Sequence, residues 1–144
     1  MTKTIRQILA KKPAIYSTAP QATVYEALKV MADKNVGALV VLEEEKLVGI
    51  FSERDYARKV ALLGKSSRDT PVSQIMTATV VTIDPERTAG ECMALMTEKR
   101  FRHLPVMEGG KLVGVISIGD VVRAVVEEQQ FTIKQLESYI TSGG

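Results

Sequence analysis

Two serines each stand three residues ahead of an aspartate at the close of an apolar run. Ser52 and Asp55 end LVGIFSERD, and Ser117 and Asp120 end LVGVISIGD, 65 positions further on. Such a pair is first of all a helix start, in which the hydroxyl accepts from a free backbone N–H and the acid favours the positive end of the helix dipole. The chain opens two other helices with Thr-x-x-Glu, at Thr23 and Glu26 and at Thr88 and Glu91, where the longer acid reaches back to the cap N–H. An aspartate in that place is expected to point away from the backbone and offer both oxygens to neighbouring hydroxyls, while the free N–H groups and the serine suit an anion. A ribose diol next to a phosphate needs that combination. Plain capping is the alternative, and it requires no ligand.

Other chemistry is poorly supported. LGKSS ends like a phosphate-binding P-loop, but Lys59 stands where the earlier glycine is required and the stretch follows a helix. GVISIG has Val115 where a hydrolase elbow needs glycine. Ser117, Asp120 and His103 make no catalytic triad, because serine and aspartate share one helix cap and the acid orients nothing. The single histidine, His103, and single cysteine, Cys92, leave no spaced metal set and no internal disulfide. The sequence therefore reads as non-enzymatic and without a metal.

With 19 Lys and Arg against 17 Asp and Glu, and 5% aromatics, the composition argues against a nucleic-acid binder, which shows a basic stripe and often stacking rings. Scattered Arg54, Arg58, Lys59, Lys65 and Arg68 are all that favour one. No apolar run approaches the length of a membrane span or a signal peptide, so the sequence reads as cytoplasmic and soluble.

The elements that must hold the two Ser-x-x-Asp phrases come from a duplication. Residues 20–60 align without a gap on residues 85–125, with 16 of 41 positions identical, and IRQIL at residue 5 matches VSQIM at residue 72. In each copy an apolar stripe at helical spacing (Val24, Ala27, Leu28, Met31; Ala89, Cys92, Met93, Met96) predicts a helix packed inward. Two apolar runs joined by EEEK or EGGK predict a hairpin of buried strands, and Pro105 places its strand at an edge or a bulge. With AIYST and TVVTI as first strands, the fold class is α/β (α+β): strand, helix, strand, strand, helix, twice. The expected boundaries are 5–65 and 70–127 for the repeats, packed face to face because neither buries enough alone. Residues 128–144 form a C-terminal helix and tail. Thr132 with Gln135 and Phe131 with Leu136 predict a fresh helix start there, and Ile133, Leu136 and Ile140 leave an apolar stripe for a partner chain or for the chain's own domain.

The tandem, with apolar-Gly-x-x-Ser-x-x-Asp at both strand-to-helix junctions and RHLPV in one second strand, resembles the cystathionine-beta-synthase (CBS) domain pair over about residues 5 to 127. That resemblance implies a regulatory module binding an adenosine-containing ligand such as AMP, ADP, ATP, NAD or S-adenosylmethionine in two pseudo-symmetric clefts. It implies Asp55 and Asp120 on the ribose hydroxyls, Ser52 and Ser117 on phosphate or ribose, and Arg102, His103 and Arg54 toward phosphate. The adenine would lie near Ser17, Thr18, Gly37, Ala38, Thr82, Ile83 and His103. It further implies a homodimer signalling to a separate regulated protein. Arg102 and His103 align with Gly37 and Ala38, and Arg54 with Gly119, so the two sites are expected to differ in affinity. A ligand-independent interaction module is the rival reading.

Overall fold

The computed structural model describes residues 2–12 and 14–143, with side chains through 141; the last residue of the expected tail, Gly144, lies outside the described residues. The chain divides into two compact units, Ala14–Val81 and Met1–Pro13 together with Thr82–Gly144.

In the unit Ala14–Val81, the two-residue strand β1 (Ser17–Thr18) leads to α2 (Val24–Lys34), then β2 (Ala38–Glu43), β3 (Lys46–Ser52) and α3 (Glu53–Tyr56). β1 runs parallel to β2, and β2 antiparallel to β3, with Ala38 opposite Ser52. Thr23 and Glu26 close the expected capping box. Val24, Ala27 and Met31 are buried against Leu39, Val41 and Phe51, with Leu28 partly buried beside them. Beyond α3 the backbone widens into a π-type turn over Ala57–Ala61, with Val60 in the core. A short 3₁₀ turn, Val72–Gln74, then brings Thr77 alongside Ile50, the two exchanging backbone hydrogen bonds of 3.0 and 2.9 Å.

The other unit combines α1 (Ile5–Leu9) with α4 (Ala89–Lys99), β4 (His103–Glu108), β5 (Lys111–Ser117) and α5 (Ile118–Gly143). Thr88 and Glu91 again form a capping box, and Ala89, Cys92 and Met96 are buried. β4 and β5 pair antiparallel with His103 opposite Ser117. The shared glycine of the two LVG runs has one reason in both units. A Cβ on Gly114 would lie 2.7 Å from a Leu9 methyl, and one on Gly49 would lie 2.6 Å from the Met76 sulfur. Leu9 and Met76 end the matching IRQIL and VSQIM segments, so each glycine makes room for the same position of that phrase.

Three expectations are corrected. TVVTI forms no strand but a single parallel bridge, Ile83 to Val106. Ile83 donates to the Pro105 carbonyl and accepts from Met107, and the ladder stops there because Pro105, standing where the other copy has Val40, has no N–H to extend it. The register shift falls one residue on, between Val106 and Met107. No new helix starts at Thr132 either: α5 runs unbroken from Ile118, and the Thr132 hydroxyl donates to the Glu128 carbonyl one turn back at 3.0 Å, a mid-helix arrangement. The third correction concerns the two aspartates and is given with the site.

Candidate functional site

Both aspartates reach back to their caps, contrary to the expectation that the short side chain would point away. Asp55 Oδ2 accepts from the Ser52 N–H at 3.0 Å and its hydroxyl at 3.1 Å. Asp120 Oδ2 accepts from the Ser117 N–H at 2.9 Å. The serine hydroxyls accept in turn from the aspartate N–H groups. Because the cap occupies only one carboxylate oxygen, the second, Oδ1, is the group left for other chemistry. The first helical N–H is satisfied in the same way in both units, from Glu53 to the Gly37 carbonyl at 3.0 Å and from Ile118 to the Arg102 carbonyl at 2.8 Å.

The two Oδ1 atoms differ. Asp55 Oδ1 accepts from the Thr77 hydroxyl at 3.3 Å and lies 3.1 Å from Lys59 Nζ. Asp120 Oδ1 has only Arg123, at 3.8 Å, and among the described residues no hydrogen bond reaches it. The two side chains are about equally buried, 12% and 15% exposed, so the distinction lies in their partners. Lys12 Nζ meets Asp120 on the other oxygen at 2.6 Å and also donates to the Val115 carbonyl at 2.8 Å. Burial pushes the Asp120 carboxyl upward, but the hydrogen bonds from Lys12 and from the Ser117 N–H and hydroxyl outweigh it and hold the group below its ordinary range. His103 is half-buried at the start of β4. Burial, together with the charges of Lys12 and Arg102, lowers its pKa against the opposing pull of Asp120 and favours the neutral imidazole.

Asp120 borders a cavity of about 710 Å³ formed between α1 and α5, where Lys11, Lys12 and Arg123 supply cations, Glu127 and Glu128 supply carboxylates that both bond Lys3, and Ile8 and Phe131 supply apolar surface. That volume lies in the usual range for small-molecule sites. Of the residues expected from sequence to bind ligand, Asp120 alone lines this cavity. Ser117, His103 and Arg102 cluster at the same helix start, with Arg102 exposed. Ile83 is buried beside Val106, and Thr82 is exposed. In the other unit Gly37, Ala38, Ser52 and Asp55 gather at one end of the sheet, Ser17 and Thr18 lie alongside Val40 and Val41, and Arg54 is exposed on α3. Lys11 and Lys12 escaped the sequence reading. They lie near the start of the first copy but fold into the unit of the second, and no spacing rule links Lys12 to an aspartate 108 residues away.

Two sheets with flanking helices, a duplicated strand-to-helix junction and matched Ser-Asp caps define a tandem module of the CBS type. The chain belongs to the CBS-domain family: the profile for the CBS domain matches residues 5–62 and 72–127. It is 47% identical over 126 residues to the mitochondrial CBS domain-containing protein CBSX3 of Arabidopsis thaliana, covering 84% of this chain and 61% of that protein's length. A solved structure from Burkholderia ambifaria MC40-6, of a protein with CBS domains, superposes with a TM-score of 0.85 at 52% identity, covering 91% of this chain and 99% of that one. The hexameric CBS-CP12 protein from bloom-forming cyanobacteria aligns at 25% identity and a TM-score of 0.76, covering all of this chain and 91% of that one. Stand-alone proteins of this family are typically regulatory, and CBS domains in general bind adenosine-containing ligands. Among the described residues no helix is long and apolar enough to cross a membrane.

Proposed function

We propose that the chain is a non-catalytic sensor of a phosphate-bearing adenosine nucleotide, AMP, ADP, ATP or NAD, and that the Asp120 site dominates the Asp55 site. The observation that carries this reading is the open Oδ1 of Asp120 at the edge of a cavity provided with Lys11, Lys12 and Arg123. A ribose hydroxyl donates to that oxygen without disturbing the cap, and the cations meet phosphate. Neutral His103 next to this junction offers a polar edge without adding charge. S-adenosylmethionine has no phosphate for Lys11, Lys12 and Arg123 to meet, and is disfavoured. Thr77 and Lys59 occupy the corresponding oxygen of Asp55, so a ligand there must first displace them. At Asp55 the rival reading, a cap with no ligand, has its best support.

Signalling requires the ligand to bind one conformation more tightly than another, and a separate regulated protein reads the difference. Calorimetric titration of the protein with AMP, ADP, ATP, NAD and S-adenosylmethionine tests the assignment. Binding of the phosphate nucleotides that falls at least tenfold in Asp120→Ala and far less in Asp55→Ala supports it. Equal losses in the two variants remove the claimed dominance, and heat from none of the ligands removes the nucleotide reading.

A further inference from the structure

The cavity beside Asp120 changes sign along its length. Asp120, Arg123 and Glu127 all line it from α5, and their steps of three and four residues put them on successive turns of one helix face. At 1.5 Å of rise per residue, Glu127 lies about 10 Å along the axis from Asp120 and about 6 Å beyond Arg123. The segment around α1 runs the other way. Lys12 meets Asp120 at 2.6 Å, while Lys3 meets Glu127 at 2.6 Å and donates its backbone N–H to Glu128.

The two ends of the cavity therefore differ in charge. Near Asp120 a single carboxylate faces both Lys12 and Arg123, and Lys11 lines the same space without an ion pair among the described residues. One turn past Arg123, two carboxylates, Glu127 and Glu128, share the one lysine that bonds them. Glu127 is exposed. The hydrogen bond and charge of Lys3, with smaller effects from Lys11 and Arg123, hold its carboxyl below the ordinary range, so it is ionised at neutral pH.

A nucleotide whose ribose donates to Asp120 Oδ1 sets its first phosphate among Lys12, Arg123 and Lys11. Each further phosphate on a chain extending along α5 carries negative charge past those cations and toward Glu127. A monophosphate gains the attraction alone, whereas a triphosphate gains it and then meets like charge. Repulsion of the wrong ligand is as effective a source of selectivity as attraction of the right one.

We infer that Glu127 is a specificity-determining residue that limits the length of the phosphate chain, so that the site prefers a nucleoside monophosphate to a triphosphate. The inference rests on the proposed binding of nucleotide at Asp120. Glu127 acts on the terminal phosphates and touches neither ribose nor base. Its pair with Lys3 is exposed and contributes little to folding, so the side chain can be changed in a folded protein.

Calorimetric titration of the full-length protein with AMP, ADP and ATP, in EDTA so that no divalent cation neutralises the chain, tests it in wild type, Glu127→Gln and Glu137→Gln. Glu137 is exposed on the same helix and does not line the cavity, so its substitution removes the same charge elsewhere. Wild type is expected to bind AMP more tightly than ATP, with ADP between them. Glu127→Gln should raise ATP affinity about fivefold, the effect of one exposed charge contact, and leave AMP nearly unchanged, while Glu137→Gln should leave the ratio as it is. ATP bound by wild type as tightly as AMP or more so, a ratio unmoved in folded Glu127→Gln, or one moved equally by Glu137→Gln overturns the inference and leaves the nucleotide site standing. Binding of none of the three removes the nucleotide reading and this inference with it.

Discussion

Replacing Lys12 by glutamine separates the role the structure gives this side chain, anchoring Asp120, from the one proposed for it, meeting phosphate. The substitution removes a charge-assisted bond of 2.6 Å to Asp120 and reduces a 2.8 Å bond to the Val115 carbonyl to a neutral one at best. Lys12 is 32% exposed and Asp120 15%, so water takes over part of what is lost. A charge-assisted hydrogen bond contributes about 1.5–3 kcal/mol when shielded; discounted for this exposure, the expected cost is about 1 kcal/mol. For a chain of this length that corresponds to a fall in Tm of about 2–4 °C. The sign of the pH effect is fixed as well. Asp120 has its folded-state pKa lowered, so its stabilising contribution is present above the ordinary value of 3.8 and disappears as pH falls through the folded value. With Lys12 gone the folded pKa moves back toward 3.8, and the Tm difference between wild type and variant should be full near neutral pH and shrink below about pH 4. Thermal unfolding followed by circular dichroism between pH 3 and 8 measures this. In parallel, the variant should lose affinity for ATP by about tenfold, the worth of one 1.4 kcal/mol phosphate contact, with adenosine affinity nearly unchanged. A Tm difference that is absent at neutral pH, or that grows in acid, would refute the role assigned to the ion pair. An equal loss for ATP and adenosine would refute the phosphate role.

The two strand glycines should tolerate no side chain. Gly114→Ala places a Cβ against Leu9 and should cost about 1–3 kcal/mol in denaturant unfolding, and the additional change Leu9→Ala should couple favourably with it; additive effects would contradict the packing described. In the β2–β3 turn Glu44 and Glu45 adopt φ of 49° and 68°, where the other hairpin has Gly109 and Gly110. Left-handed residues with a Cβ cost about 1–2 kcal/mol each, partly offset by the greater unfolded-state freedom of glycine. Changing both to glycine should therefore stabilise the protein by roughly 0.5–1 kcal/mol, and a lower urea midpoint would count against the reasoning.

Local rules revealed much of this architecture because both copies obey them. The Thr23 and Thr88 capping boxes, the stripes from Val24 to Met31 and from Ala89 to Met96, and the apolar runs on either side of the two turns are all short-range features. What escaped depends on partners distant in sequence. TVVTI has strand composition, yet Pro105 denies it the next donor, an effect visible only once Ile83 is known to lie beside Val106. Thr132 and Gln135 have the spacing of a capping box, but the intact helix ahead of them leaves no free N–H groups to cap. At the site, the spacing identified Asp55 and Asp120 as a pair but could not distinguish them, because Thr77, Lys59 and Arg123 decide how each Oδ1 is occupied and Lys12 takes the other oxygen of Asp120. Lys12 in particular reaches Asp120 only because residues 1–13 belong to the same compact unit as the second copy.

The most direct test of the central claim is the affinity for ATP of Asp120→Ala set beside that of Asp55→Ala, each verified as folded and titrated by calorimetry. Loss of the stronger binding event in Asp120→Ala, with that event largely retained in Asp55→Ala, is the result the open Oδ1 predicts. Undiminished ATP binding in a folded Asp120→Ala protein would contradict it and leave the second Ser-x-x-Asp phrase, Ser117 to Asp120, as a helix cap alone.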